Sequence, residues 1–169
     1  TVASRRGPDY ETEVALEGRR GGLRVRGRAD GYDPRRRTLE EVKAIRGGPD
    51  DIPDNRRLLH WAQLQTYGAL FCHARGVEEI ALALVYFDVA SQTEVELRQV
   101  YGAAELDELF DARCADFAAW AEQEAAHRVA RDEALHALAF PEPAFRTGQR
   151  ALAEAVYRST ASGRCLLAQ

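Results

Sequence analysis

Residues 80–89 read Ile-Ala-Leu-Ala-Leu-Val-Tyr-Phe-Asp-Val, an almost unbroken apolar run of strand length. A strand with one wet face alternates apolar and polar residues. A run without alternation therefore predicts a strand covered on both faces, at the centre of an α/β sheet. The surrounding chain supplies matching parts. Residues 8–18, with Val14 and Leu16, predict a first strand; Gly21-Gly22 turns into a second over 23–33; a third follows over 38–45. Asp33-Pro34 opens the hairpin turn between the last two, because proline presets φ for a turn position. Residues 94–101 alternate and predict a shorter strand. Helical spacing covers 56–75 and 104–138, and in the second of these Leu106, Leu109, Phe110, Phe117, Trp120 and Leu135 read as a core stripe. The expected fold class is α/β, with a mixed central β-sheet flanked by helices.

The hairpin carries the chemistry. On a strand, alternate side chains share a face, so Leu39, Glu41, Lys43 and Ile45 point one way and Glu40, Val42 and Ala44 the other. The hairpin brings Asp30 across towards Glu41, so two carboxylates and one ammonium converge at the end of a strand pair. Adjacent carboxylates repel unless a hard cation sits between them, and Mg²⁺ is commonly held by one or two carboxylates plus substrate phosphate. Composition sharpens the point. Of 23 lysines and arginines, 22 are arginine, and the single lysine is Lys43. Lysine is a compact point charge, whereas arginine is a wide planar fork, so an ammonium beside Glu41 reflects need. Such an ammonium can position an attacking water or stabilise developing negative charge.

Asp30 followed by Glu41-Val42-Lys43 resembles the PD-(D/E)xK signature of metal-dependent nucleases. A second block, His60-Trp61-Ala62-Gln63-Leu64-Gln65-Thr66-Tyr67, resembles the QxxxY motif of the RecB-like branch through Gln63 and Tyr67. Within that branch the likeness is to the nuclease domain at the N-terminus of some bacterial DinG/XPD-like helicases, and it covers nearly the whole chain. The resemblance implies a restriction-endonuclease-like nuclease core. It implies that Asp30, Glu41 and the Val42 carbonyl hold Mg²⁺ or Mn²⁺, that Lys43 is catalytic, and that Gln63 and Tyr67 complete the site. Its partner would be DNA, single-stranded or branched, in repair or processing. A Gly-x-Ala segment stands where the motif name has proline, a position that varies widely. The branch usually has an upstream helix with a histidine or acid facing the metal, and the chain begins at Thr1, too late to include it.

By the same resemblance, 1–140 is the nuclease domain. Pro141 and Pro143 mark a boundary, and 141–169 is a linker and the start of a helicase motor. There Thr147 reads as a helix N-cap, a helix runs to Ser162, Gly163 stops it, and an apolar strand starts at Cys165. No G-x-x-x-x-G-K-[ST] occurs, so ATP would belong only to the missing motor. The motor would be covalently linked in the parent protein. The alternative function is a catalytically silent nuclease-like fold that binds DNA beside the motor.

Remaining features narrow the reading. No apolar run approaches the ~20 residues of a membrane span, and no signal-peptide pattern is visible. Cys72, Cys114 and Cys165 are scattered, which supports neither a zinc site nor an iron–sulfur cluster and suits a reduced cytoplasmic protein. Net charge is −4, but residues 1–60 carry 14 basic against 11 acidic side chains, and residues 61–169 carry 9 against 16. Arg28 and Arg35, Arg36 and Arg37 lie near the proposed site, where they either attract phosphate or, for the last three, solvate a hairpin tip. His60 shares a helix face with Gln63 and Tyr67; it either contacts phosphate or makes a structural hydrogen bond. Glu11, Glu13 and Glu17 are readily explained as an exposed strand face, and 47–55 as a connecting loop.

Overall fold

A computed structural model describes residues 2–139 and 144–167. The chain runs β1 (Glu11–Arg20), β2 (Leu23–Asp33), β3 (Thr38–Ile45), α1 (Asp54–Arg75), β4 (Glu79–Asp88), β5 (Glu94–Gly102), α2 (Ala103–Ala137) and α3 (Gln149–Ser162). Two compact units divide it, residues 1–123 and 124–169, so the division falls within α2. Pro141 and Pro143 lie outside the described residues.

In the first unit the five strands form one sheet in the order β1-β2-β3-β4-β5. β1, β2 and β3 are an antiparallel meander, β3 and β4 pair in parallel, and β5 returns antiparallel to β4. A parallel pair needs a crossover, and α1 supplies it. The fold is therefore α/β with a mixed sheet flanked by helices, as the pattern of the sequence requires. The apolar run is covered on both faces, from Ile80 to Tyr86. It is not the middle strand, however: β4 lies between β3 and the edge strand β5, and β3 occupies the centre. Coverage from both sides, not central position, is what an unbroken apolar run reports.

One face of the sheet carries α1 and the start of α2. Leu39, Leu82, Leu84, Leu64, Phe71, Leu106 and Phe110 join in one buried cluster. Gly68 on α1 lets the helices and the sheet approach closely, because a Cβ would stand 3.0 Å from both Leu82 and Leu106. Gly76 ends α1 in the left-handed region at φ 63. The opposite face is lined by small residues, Ala81 and Ala83, and meets the chain's first residues: Val2 is buried, and the Arg5 guanidinium stands 5.3 Å over the Phe87 ring.

The core stripe expected along α2 holds only at its start. Leu106 and Phe110 are buried, Leu109 is partly covered, and Phe117, Trp120 and Leu135 are exposed. A 35-residue helix is about 50 Å long, well beyond the ~30 Å of a ten-residue strand, so helical spacing alone cannot tell which of its turns are covered. In the second unit, Gly148, not Thr147, is the N-cap of α3, and residues 164–167 form no strand. Leu106→Ala should cost about 2–5 kcal/mol, and Trp120→Ala less than about 0.5 kcal/mol, in urea denaturation.

Candidate functional site

The β2–β3 ladder pairs Asp33 with Thr38, Tyr32 with Leu39 and Gly31 with Glu40, and goes no further. The β1–β2 ladder skips Glu13 and Asp30, and Glu13 takes the left-handed φ of 56. Side-chain directions record the break. Gly27 faces Tyr67 of α1, where a Cβ would overlap the ring, and the Tyr32 ring meets Phe71 of α1, tilted at 42° with centroids 4.5 Å apart. These two residues on one face are five apart, an odd count that regular alternation forbids. The shift marks a bulge-like irregularity at Asp30. Asp30 thus sits at a fork, paired with neither neighbouring strand. Its Oδ2 accepts a 2.7 Å hydrogen bond from the Val42 backbone N–H, so the side chain supplies the rung that the backbone lacks.

Glu41 leaves β3 on the α1 side and is 4% exposed. Its Oε1 accepts from Lys43 Nζ at 2.7 Å and from Gln63 Nε2 at 2.8 Å. Lys43 Nζ also donates to Gln63 Oε1 at 2.9 Å, and Gln63 Nε2 to Tyr67 Oη at 3.0 Å. The Gln63 amide can point only one way, because the carboxylate demands its NH₂ and the ammonium its oxygen. Glu41 Oε2 is buried and has no hydrogen-bond partner. Burial pushes the Glu41 carboxyl above its usual range, the nearby Asp30 charge adds to this, and the bonds from Lys43 and Gln63 oppose it.

His60, one turn earlier on α1, places Nδ1 3.0 Å from the Tyr86 hydroxyl. Tyr86 is the β4 partner of Lys43 in the ladder. Burial lowers the His60 pKa, and the positive charges of Lys43 and Arg56 lower it further.

The structure therefore brings together Asp30, Glu41, Val42, Lys43, Gln63, Tyr67 and His60. The arginines near the hairpin have partners of their own. Arg28 pairs with Glu13 at 2.5 Å, Arg35 with Asp9 at 2.6 Å and Arg36 with Glu96 at 2.5 Å, while Arg37 reaches the Glu79 carbonyl. Among the described residues, no three His, Cys, Asp or Glu side chains are grouped to hold a metal ion.

A second polar cluster lies behind the first. Glu40, fully buried on the opposite face, accepts from Arg6 Nε at 2.9 Å and from Tyr10 Oη at 3.0 Å, both on Oε2. Arg6 also reaches Glu94 at 3.0 Å. Alternation had placed Glu40 on that face, and an acid inside a buried strand demands a donor. That demand was the available signal for Arg6 and Tyr10.

No family model matches the chain, and no curated protein matches it. A solved structure titled "Crystal structure of SSO0001" is similar over 60% of this chain and 47% of that one, with 28% sequence identity and a TM-score of 0.39. The chain thus spans about half the length of that structure, and the likeness is too slight to carry an argument.

A depressed pKa gives His60 a stabilising contribution that is present above its ordinary value of 6.5 and lost as pH falls through the folded value. Thermal unfolding between about pH 7.5 and pH 5 should show the wild type losing more stability on acidification than His60→Gln.

Proposed function

We propose that this chain is a metal-dependent DNA nuclease domain of the PD-(D/E)xK type, RecB-like branch, hydrolysing phosphodiester bonds within a larger nuclease–helicase of DNA repair or processing. The observation that carries this reading is the buried Glu41 Oε2, without a hydrogen-bond partner and repelled by Asp30. An unsatisfied buried carboxylate oxygen costs about 1–3 kcal/mol or more, and a divalent cation is the ligand whose chemistry answers it. Asp30, Glu41 and the Val42 carbonyl would hold Mg²⁺ or Mn²⁺. When bound, the cation would lower the pKa of a water and neutralise charge on the phosphodiester.

The chain's own groups then divide the remaining tasks. Hydrolysis adds a water oxygen to phosphorus, breaks one P–O bond and leaves a phosphate and a hydroxyl. Lys43 holds a fixed positive charge beside Glu41, suited to the negative charge that builds on the phosphate. Gln63 anchors Lys43 and Glu41 together through both ends of its amide, and Tyr67 anchors Gln63. His60, kept neutral by its surroundings, is a candidate phosphate contact through its second ring nitrogen. DNA, single-stranded or branched, is the proposed partner, and ATP would serve only a linked helicase motor.

No helix among the described residues is long and apolar enough to cross a membrane. The three free thiols suit the cytoplasm we assign it.

The test is cleavage of single-stranded, duplex and branched DNA with Mg²⁺ or Mn²⁺. Lys43→Ala and Asp30→Asn should each lower the rate by about a hundredfold or more, and Gln63→Ala by about tenfold. Cleavage indifferent to Lys43 and Asp30 ends this reading. DNA binding by the wild type without cleavage would instead assign a silent binding module.

A further inference from the structure

The Gly31–Glu40 pair is the last rung of the β2–β3 ladder, and Asp30 and Glu41 are the next residues on each side. What holds that rung holds the fork. From the face away from α1, the Tyr10 ring lies so close over Gly31 that a Cβ there would overlap it, and Tyr10 Oη donates to Glu40. Arg6 Nε donates to the same carboxylate oxygen, and its Nη1 reaches Glu94 of β5 at 3.0 Å. Tyr10 thus grips both members of one rung, the backbone of Gly31 and the side chain of Glu40. Arg6 ties that rung to the far edge of the sheet. Glu40 is fully buried, so loss of either donor removes a hydrogen bond that no solvent replaces.

We infer that Arg6, Tyr10 and Glu40 are positioning residues for the site, a buried clamp on the far face of the sheet that sets where Asp30 and Glu41 stand. Its effect on cation binding rests on the function proposed above; its effect on Asp30 does not. The mechanism is mechanical. With the rung held, Asp30 has one place to go, the Val42 amide, and the opening between its carboxylate and Glu41 is fixed before any ligand arrives. Without it, two antiparallel strands can slide or splay at the fork, where no backbone hydrogen bonds oppose the motion.

The experiment uses the full chain and two readouts. The first is hydrogen exchange of the Val42 amide in metal-free protein, which reports the Asp30 bond directly. The second is affinity for Mn²⁺ alone, by calorimetry. Tyr10→Phe keeps the ring and removes the hydroxyl, Arg6→Lys keeps the charge and loses the fork, and Arg5→Ala, on the same segment but off Glu40, controls for general destabilisation. Tyr10→Phe should speed Val42 exchange and weaken Mn²⁺ binding, each by about tenfold, with Arg6→Lys intermediate and Arg5→Ala near wild type. Val42 exchange that is unchanged, or raised as much by Arg5→Ala, overturns the clamp. Faster exchange with Mn²⁺ affinity unaltered also overturns it as a determinant of the cation site. A wild type that binds no Mn²⁺, with Val42 exchange still responding to Tyr10→Phe, removes the metal-dependent function and upholds the positioning of Asp30.

Discussion

The site depends on one hydrogen bond, from the Val42 backbone N–H to the Asp30 carboxylate. It stands where the β2–β3 ladder ends and where β1 has already skipped Asp30. A strand residue released from both neighbours is a liability in the middle of a sheet, since unpaired backbone groups in low dielectric are costly. Here the liability is converted into placement. The side chain closes the gap, and in closing it brings a carboxylate within electrostatic reach of Glu41.

The tandem acids Glu40 and Glu41 show how one strand can carry two buried carboxylates with different fates. Alternation sends them to opposite faces of the sheet. Glu40 is answered on one oxygen by Arg6 and Tyr10, while the other, also without a hydrogen bond, lies 3.7 Å from Arg36 Nη1. Glu41 is answered by Lys43 and Gln63, again on one oxygen, and the other has no hydrogen bond. The difference lies in what stands near the second oxygen. Behind the sheet it is an arginine of the chain itself; on the α1 side no side chain bonds Oε2, and the charge of Asp30 acts on the whole carboxyl. Repulsion of that kind favours the protonated form of one carboxyl or a bound cation.

The sequence carried much of this and withheld the rest for identifiable reasons. Strand alternation alone put Glu41 and Lys43 on one face, and helical spacing alone put His60, Gln63 and Tyr67 on another. Both are short-range rules that hold within a single element. The irregularity at Glu13 and Asp30 obeys no such rule, because it is a relation between two strands, and Glu13 is not a residue type that announces a positive φ. Arg6 and Tyr10 meet Glu40 across 34 and 30 positions, a contact that only the completed sheet creates. Charge clustering in the sequence names the arginines near the hairpin but not their partners, and Asp9, Glu13 and Glu96 come from elsewhere to pair with Arg35, Arg28 and Arg36. Exposed pairs of this sort add little stability, but they do occupy the guanidinium forks.

The solitary lysine then has a structural rationale. An ammonium has three donors, and Lys43 uses two of them on Glu41 Oε1 and Gln63 Oε1. One remains for a group that enters the site. A guanidinium at the same position would present a planar fork, and the favoured partner of that fork is both oxygens of one carboxylate. It would take Glu41 Oε2 as well as Oε1 and close the position that now stands without a hydrogen bond. In a chain that uses arginine 22 times elsewhere, lysine is the cation that neutralises half of this carboxylate and leaves the other half available.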